Sequence, residues 1–294
     1  MTVSLITGTS SGIGLATAVR LALSGHRVIA TMRDTSRADD LLSAVAAAGA
    51  TAGMDLDVEV VELDVCDDAS VAAAFKLVGP VDVLVNNAGT SPVAAVEDFP
   101  IADWQALFET NLFGVVRCTQ AALKSMRERR IGHIINISSL VGRATQPVFG
   151  PYAASKQALE ATSEALAAEV APFGIRVTII EPGAVITPIR EKTGVPDRSS
   201  PYRPVAKNWG FHAGYIHARA RGPEEVADAI AAAIVDPHAP LRIPVGVGVE
   251  ELIELRSRLD DQAWVSLWSA NTAEFLARYH ELTGIDLTDR PAPS

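Results

Sequence analysis

Short apolar runs alternate with longer amphipathic segments over most of the chain. The runs are rich in Val, Ile and Leu and carry few polar positions, which predicts strands buried on both faces of a sheet. In the segments between them, apolar residues recur every three or four positions, as they do on one face of a helix. Strands are predicted at 3–7, 27–31, 58–63, 81–85, 133–137, 176–180 and 241–245, and helices at 13–24, 36–48, 68–77, 101–128, 152–171 and 223–236.

This alternation predicts the fold class. Parallel strands joined by right-handed helical crossovers form a sheet that helices cover on both faces. We therefore expect an α/β protein with a doubly wound parallel sheet, a Rossmann fold with three layers, α/β/α. No linker or internal repeat interrupts the pattern, so residues 1–294 are interpreted as a single domain.

The pattern changes after Thr187. The segment 188–222 is rich in Pro, Gly, Arg and aromatic residues and shows no clear periodicity. We interpret it as a substrate loop or lid, because long loops in compact domains are usually functional or disordered. A C-terminal helical extension with two helical patterns is expected at 249–283.

Several side chains of this region are candidates for substrate contact. His212 and His217 are expected either to be solvated or to hydrogen-bond the substrate. The aromatic residues of the same segment are expected to cover an apolar substrate or to anchor the loop: Trp209, Phe211 and Tyr215. Trp264 and Trp268 are expected in the core or in a subunit contact.

The composition is that of a globular protein, with 48% hydrophobic and 20% charged residues, which argues against disordered and fibrous classes. The net charge of −10 and the lack of a basic block argue against a nucleic-acid partner. The first apolar run begins at Val3 and leaves no room for a signal peptide, and no run predicts a membrane span. Cys66 and Cys118 lack metal-ligand spacing. We expect a cytoplasmic protein without a metal site.

A glycine-rich turn joins the first strand to the first helix. Its sequence, TGTSSGIG, has glycines spaced G-x-x-x-G-x-G. Glycines there allow a tight turn and a close approach of backbone N–H groups to phosphate, at the positive end of the helix dipole. This pattern indicates a dinucleotide site, with contacts expected from Gly8, Thr9, Ser10, Ser11, Gly12, Ile13 and Gly14.

Other strand ends carry further candidate contacts. Met32 stands where sites that prefer NAD carry an acid, and Arg33 follows it, which favours NADP(H) because an Arg accommodates the 2′-phosphate. Asp34 lies one residue further on and leaves NAD(H) open as the less favoured alternative. The third and fourth strands end in ELDV and VNNAG, which adds expected contacts from Asp64, Val65, Asn86, Asn87 and Gly89.

Tyr152 and Lys156 lie one helical turn apart, and Ser139 follows the fifth strand. A carbonyl that accepts a hydride also needs a proton, and a Tyr hydroxyl can supply it when its pKa is drawn from about 10 toward neutrality. A nearby ammonium favours the phenolate, and a Ser hydroxyl can hold the substrate oxygen. Along the strand, Ser138 and Ser139 point in opposite directions. The arrangement predicts an acid–base device for a secondary alcohol and a ketone or aldehyde.

The motifs TGTSSGIG, NNAG, ETNLFG, ISS, YAASK and PGAVIT, in this order and spacing, resemble the short-chain dehydrogenase/reductase family. The resemblance implies a catalytic tetrad of Asn111, Ser139, Tyr152 and Lys156, with Asn111 holding a water that relays protons and Lys156 also binding the nicotinamide ribose. It implies nicotinamide contacts from Pro182, Gly183, Val185 and Thr187. It also implies a homodimer or homotetramer built on the two long helices.

The motifs IATMRD, ASKQALE, PEEVADAI and RLDD resemble the branch of 17β-hydroxysteroid dehydrogenase type 1 and the retinol dehydrogenases. That likeness implies a small-molecule alcohol or carbonyl substrate of apolar character. Two alternatives stay open. One is a 3-oxoacyl-carrier-protein reductase, whose acidic partner would need a basic patch such as Arg127, Arg129 and Arg130. The other is a protein that senses the nucleotide without catalysis, against which the complete tetrad argues.

Overall fold

A computed structural model describes residues 1–187 and 199–289. In these ranges seven parallel strands form one sheet in the order β3-β2-β1-β4-β5-β6-β7. The doubly wound Rossmann-type fold is thereby confirmed. The strands are β1 (Val3–Thr7), β2 (Arg27–Met32), β3 (Val58–Glu62), β4 (Val83–Asn86), β5 (Gly132–Ile137), β6 (Ile175–Pro182) and β7 (Arg242–Val245).

Helices cover both faces of this sheet. Adjacent residues of β5 point to opposite faces of the sheet: Ile135 packs against the helix layer that includes residues 12–23 and 224–235, whereas Ile134 packs against the layer that includes residues 68–78 and 114–129. The helices are α1 (Gly12–Leu23), α2 (Asp39–Ala52), α3 (Asp68–Val78), α4 (Ile101–Phe108), α5 (Gly114–Arg129), α6 (Gly150–Val170), α7 (Arg203–His217), α8 (Glu224–Val235), α9 (Val249–Arg258), α10 (Asp261–Ser269) and α11 (Thr272–Thr283). None of the helices described here combines the length and the hydropathy needed to cross a bilayer.

The sheet order reverses at β1, which has β2 on one side and β4 on the other. In an open α/β sheet, ligands bind in the crevice outside the carboxyl ends of the strands at such a reversal. The glycine-rich turn and the NNAG turn leave the sheet at this point, so the fold brings both predicted motifs to one edge.

The long helix predicted at 101–128 is interrupted. A π-helical turn at Glu109–Phe113 separates α4 from α5 and contains Asn111. Turns of this kind are rare and occur frequently at functional sites.

The prediction of a structureless segment at 188–222 is wrong for its second half, because Arg203–His217 forms α7. The buried side of this helix includes Asn208 and His212 together with Ala213. A hydropathy pattern counts the first two as polar, which hid the helical period. Residues 188–198 of the segment lie outside the described residues.

The C-terminal extension contains three helices rather than two. Asp260 and Asn271 begin α10 and α11 as N-caps, and their side chains accept from Ala263 N (2.7 Å) and Glu274 N (3.1 Å). The extension packs on α7 around a buried cluster that contains Trp264, Trp268, Phe275 and Tyr279. The two tryptophans therefore belong to the core.

Candidate active site

A cleft of about 1200 Å³ opens at the carboxyl edge of the sheet. Most of the predicted site residues line it, although they come from seven separate stretches of sequence. They are Gly8, Ser10, Ser11, Gly12, Ile13, Arg33, Asp64, Val65, Asn87, Gly89, Ser139, Tyr152, Lys156, Pro182, Gly183, Val185 and Thr187.

The glycine-rich turn is shaped by close backbone contacts. Gly8 and Gly12 have φ angles of +73° and +59°, in the left-handed region that glycine adopts readily. A Cβ atom on Gly14 would lie 2.3 Å from the carbonyl oxygen of Gly8, so Gly14 serves the packing of the turn and does not line the cleft. Thr9 is also turned away: it is buried, and its Oγ1 donates to the carbonyl of Thr31 at 3.1 Å.

The start of α1 faces the cleft through Ser11, Gly12 and Ile13. Its first turn carries no acidic side chain, and Ser11 makes no side-chain capping hydrogen bond. The positive end of the helix dipole is thus not neutralised by a side chain, which fits the binding of an anionic pyrophosphate.

The two asparagines after β4 have different roles. Asn86 is buried away from the cleft, and its Nδ2 donates to Asn136 Oδ1 at 2.8 Å and to Thr119 Oγ1 at 3.2 Å, which corrects its predicted place beside the cofactor. Asn87 lines the cleft, and its Nδ2 donates to the carbonyls of Thr7 (2.8 Å) and Gly8 (3.0 Å). Asn87 therefore ties the NNAG turn to the glycine-rich turn.

Beyond β2, two guanidinium-bearing residues line the cleft, Arg33 and Arg37. The sequence reasoning missed Arg37, although it lies four residues after Arg33. The carboxylate oxygen Oδ1 of Asp34 accepts from Ser36 N at 3.1 Å and from Ser36 Oγ at 2.6 Å. These hydrogen bonds lower the pKa of Asp34 and occupy one of its oxygens in a local turn.

Tyr152 is half-buried in the cleft, and two serines that also line the cleft, Ser139 and Ser91, have hydroxyls that lower its pKa; the sequence reasoning missed Ser91. Burial raises the pKa of Tyr152 to about 12 and outweighs the lowering effect of the two hydroxyls. The expectation that this pKa is drawn toward neutrality is therefore wrong for the polypeptide alone.

Lys156 is buried, and its Nζ donates to the carbonyl of Ile137 at 2.8 Å. The same Nζ lies 5.7 Å from the centre of the Tyr152 ring. Burial lowers the pKa of Lys156 to about 8, and the carboxylate of Glu160 opposes that decrease. The hydroxyl group of Tyr152 and the ammonium group of Lys156 therefore lie on the same side of α6, as the sequence predicted.

Asn111 is fully buried and does not line the cleft. Its Oδ1 accepts from Thr90 N at 2.9 Å, and its Nδ2 donates to Thr90 O at 2.9 Å and to Ser155 Oγ at 3.1 Å. The side chain therefore fastens the segment after the NNAG turn to α6. A Cβ atom on Gly89 would lie 3.2 Å from Asn111 Oδ1 and 3.8 Å from Lys156 Nζ, so the amide and the ammonium border the same glycine.

The cleft beyond Tyr152 has a largely apolar wall. The rings of Phe149 and Trp209 are in contact, and Phe149 also contacts the ring of Tyr152. Leu140, Val141, Pro92 and Ile216 add aliphatic surface, and Gln146 and His217 add polar groups. Phe211 and Tyr215 pack against the C-terminal cluster instead and anchor α7.

His212 is not solvated, which corrects one of its expected states. It is buried between the rings of Trp268 and Tyr279, and its Nδ1 lies 3.4 Å from Gln146 Nε2. Burial lowers the pKa of His212 to about 4, so the ring is neutral at physiological pH. It supports a cleft residue rather than contacting the cleft itself.

Comparison with known proteins agrees with this geometry. Residues 2–196 match the family model described as short chain dehydrogenase. An uncharacterized oxidoreductase of Bacillus subtilis, YusZ, is 36% identical over 90% of this chain and 96% of its own. Human retinol dehydrogenase 8 is 37% identical over 96% of this chain and 93% of its own.

Solved structures show the same likeness. A short-chain dehydrogenase from Streptomyces avermitilis has 36% identity and a TM-score of 0.76, over 90% of this chain and 97% of its own. An actinorhodin polyketide ketoreductase variant, solved with NADPH, has 33% identity and a TM-score of 0.71, over 84% of this chain and 97% of its own. The chain with this cleft and sheet order therefore belongs to the short-chain dehydrogenase/reductase family of oxidoreductases.

Proposed function

We propose that the protein is an NADP(H)-dependent oxidoreductase that interconverts an apolar secondary alcohol and the corresponding ketone, or an alcohol and an aldehyde. The observation that carries this proposal is that the hydroxyls of Ser139 and Tyr152 and the ammonium of Lys156 line one cleft, which the glycine-rich turn borders. When bound, NADPH supplies the hydride for a carbonyl carbon.

The residues present fit this cofactor. The start of α1 would hold the pyrophosphate, and Asp64 and Val65 would lie beside the adenine. Lys156 would hydrogen-bond the nicotinamide ribose. The strand end at Pro182, Gly183, Val185 and Thr187 would contact the nicotinamide. Two observations support this fit: Gly8 and Gly12 have backbone angles in the left-handed region, and the first turn of α1 carries no acidic side chain.

The preference for NADP(H) over NAD(H) rests on the end of β2. Two arginines, Arg33 and Arg37, border the cleft there, and guanidinium groups bind phosphate with geometric specificity. A site for the free 2′-hydroxyl of NAD usually offers a carboxylate. The carboxylate of Asp34 is engaged by Ser36 instead, which supports the choice of NADP(H).

The side chains have distinct parts in the reaction. Ser139 would hold the substrate oxygen, and Tyr152 would donate its proton as negative charge develops on that oxygen. The raised pKa of Tyr152 keeps the hydroxyl protonated, which suits donation in the direction of reduction. The ammonium of Lys156 would stabilise the phenolate that remains. General acid catalysis of this kind contributes about 10²–10⁴-fold.

The alternative of a 3-oxoacyl-carrier-protein reductase needs a basic patch for its partner. Two of the three candidate arginines are engaged within the chain: Arg129 pairs with Asp82 at 2.5 Å, and Arg130 donates to the carbonyl of Pro172 at 2.6 Å. Together with the apolar wall around Phe149 and Trp209, this favours a small apolar substrate over a carrier-bound one.

Consumption of NADPH and of NADH with a panel of carbonyl compounds tests the proposal. The panel contains apolar ketones, aldehydes and 3-oxoacyl thioesters. We expect faster reduction of the apolar ketones and aldehydes than of the thioesters, with NADPH preferred. Binding of NADPH without turnover of any compound would indicate a sensing protein, a preference for NADH would overturn the cofactor assignment, and a preference for thioesters would favour the reductase alternative.

A further inference from the structure

A buried carboxylate lies one helical turn beyond Lys156 on α6. The side chain of Glu160 is 6% exposed, and its Oε2 accepts from Arg242 Nε at 2.9 Å. Its other oxygen, Oε1, is buried and has no hydrogen-bond partner among the described residues. Burying a charged group in this way costs free energy unless nearby charges compensate it.

A second buried carboxylate belongs to the same cluster. Glu181, near the end of β6, has a side chain that is 2% exposed, and its Oε1 accepts from Arg143 Nη1 at 3.1 Å. The same oxygen lies 3.7 Å from Arg242 Nε, so Arg242 stands between the two carboxylates. Burial and the negative charge of Glu160 raise the pKa of Glu181, and Arg143 and Arg242 oppose that increase.

The turn at Leu140–Gly142 covers this cluster on the side of the cleft. A Cβ atom on Gly142 would lie 3.2 Å from Glu160 Cγ and 3.4 Å from Lys156 Cβ. Gly142 is itself buried, so the backbone excludes water from the side of α6 that both residues share. Charges interact more strongly where water is excluded.

The charged and titratable groups around Lys156 and Glu160 come from four elements of the fold. Its own helix contributes Tyr152 and Glu160, β6 contributes Glu181, the segment after the Leu140–Gly142 turn contributes Arg143, and β7 contributes Arg242. Of these, Glu160 is the carboxylate whose charge raises the pKa of Lys156; it acts from one helical turn away, without an ion pair between the two side chains. Arg242 holds that carboxylate in position.

We propose that Glu160 is a positioning residue that keeps the Lys156 ammonium charged through the pH range in which the protein binds its cofactor and reduces its substrate. The inference rests on the role of Lys156 in the proposed function. Without this carboxylate, the buried ammonium would lose its proton at a lower pH. The cofactor ribose and the phenolate of Tyr152 would then lose their cationic partner in mildly alkaline solution.

The direct test is NMR titration of the lysine side chains, because the chain has only five lysines: Lys76, Lys124, Lys156, Lys192 and Lys207. The Lys156 signal is assigned by its loss in Lys156→Arg. In Glu160→Gln we expect the titration midpoint of Lys156 to fall by about one pH unit or more. This measurement needs neither cofactor nor substrate, so it decides the inference even if no carbonyl compound is turned over.

Glu164→Gln is the matched control. Glu164 also pairs with Arg242, at 2.6 Å from Nη2, but its side chain is 63% exposed and lies one turn further from Lys156. We expect Lys156 to titrate in this variant as it does in the wild type. An unchanged midpoint in Glu160→Gln, or equal shifts in both variants, would overturn the inference.

Two further measurements extend the test. The affinity for NADPH, measured from neutral to alkaline pH, should decline earlier in Glu160→Gln than in Glu164→Gln, by about tenfold at the alkaline end. If Glu160→Gln does not fold, Glu160→Met takes its place, because an apolar side chain of similar length fills the same space without a charge. The same fall in the Lys156 midpoint is expected, and an unchanged midpoint would overturn the inference.

Discussion

The rings of Phe149 and Trp209 lie with centroids 5.2 Å apart and planes inclined by 45°. Phe149 immediately precedes α6, which carries Tyr152, and Trp209 belongs to α7. The contact therefore joins α6, which carries Tyr152 and Lys156, to α7 on the apolar side of the cleft.

Replacing Trp209 by Ala removes this contact and widens the apolar wall. We expect KM for an apolar ketone to rise by about tenfold, since aromatic contacts and the burial of an aromatic side chain are worth roughly 1–2 kcal/mol here. The affinity for NADPH should not change. Steady-state kinetics and cofactor titration check this, with Trp104→Ala, outside the cleft, as the control. An equal loss of NADPH affinity would show that Trp209 supports the whole cleft rather than the substrate.

Replacing Tyr152 by Phe removes only the hydroxyl. We expect kcat to fall by about 10²–10⁴-fold while the affinity for NADPH is kept, because the hydroxyl supplies the proton and the ring still packs on Phe149. Tyr202→Phe is a control, since that hydroxyl is exposed and bonded to Glu97 outside the cleft. A Phe variant that retains a tenth of the wild-type rate would show that another group donates the proton.

The arginines at the end of β2 should set the cofactor preference. Arg33→Ala and Arg37→Ala are each expected to weaken NADPH binding by about ten- to a hundred-fold, because a charge-assisted contact is worth roughly 1.5–3 kcal/mol. NADH binding should change little. Fluorescence titration of both cofactors measures this, and Lys76→Ala, on the exposed side of α3, provides a control cation. A wild type that binds NADH more tightly would contradict the role of both arginines.

The neutral state of buried His212 predicts a loss of stability in acid. Its folded pKa of about 4 lies below its ordinary value of 6.5, so the unfolded chain binds a proton that the folded chain does not. The free energy of unfolding should therefore fall as the pH decreases from about 6.5 to 4, by up to about 1.4 kcal/mol per pH unit.

Urea denaturation between pH 7 and pH 4 checks this dependence. In His212→Gln the free energy of unfolding should fall less between pH 7 and pH 4 than it does in the wild type. In His238→Gln it should fall as much as in the wild type, because His238 is exposed. Parallel curves for the wild type and His212→Gln would mean that His212 takes up its proton in the folded state as well.

The resemblance to the family implies a two-fold assembly through α5 and α6, and the surface of α6 suits it. Its exposed positions include the small residues Ala161, Ala165 and Ala168, and Phe113 beside α5 is 48% exposed. We expect a dimer or tetramer at micromolar concentration in light scattering. Ala165→Arg should yield monomers, whereas Ala52→Arg, on the exposed end of α2, should not. A monomeric wild type would contradict the assembly.

The sheet could be predicted from the sequence because each strand is a local apolar run. The location of the site could be predicted as well, because the carboxyl ends of parallel strands meet at one edge of the sheet. What the sequence did not show depends on contacts between distant residues. Asn86 donates to Asn136, fifty residues away, and to Thr119 of α5, so the motif alone does not reveal that its side chain is buried between the sheet and α5. Ser91, in the loop after β4, lines the cleft with Tyr152 and lowers its pKa, and no spacing rule indicates that the two residues lie together.

The pKa of Tyr152 shows the same limit. An i,i+4 lysine suggests a lowered pKa, but in the folded chain burial raises the pKa of Tyr152, and the groups that oppose this increase are the hydroxyls of Ser139 and Ser91. Only the packing of the cleft wall determines that balance. Helix α7 was missed for a related reason, because its polar residues Asn208 and His212 are buried by partners from the C-terminal extension.

The way in which the C-terminal extension holds α7 limits how substrate range can be engineered. Asn208 donates to the carbonyls of Trp268 and Ala270, and the indole nitrogen of Trp264 donates to the carbonyl of Thr145 beside the cleft. A graft of α7 alone, from a relative without this asparagine, would leave the carbonyls of Trp268 and Ala270 without the donor that Asn208 supplies. Helix α7 and the C-terminal helices α9 to α11 should therefore be exchanged together, because the substrate-side wall of the cleft and the helices that hold it form one packed unit.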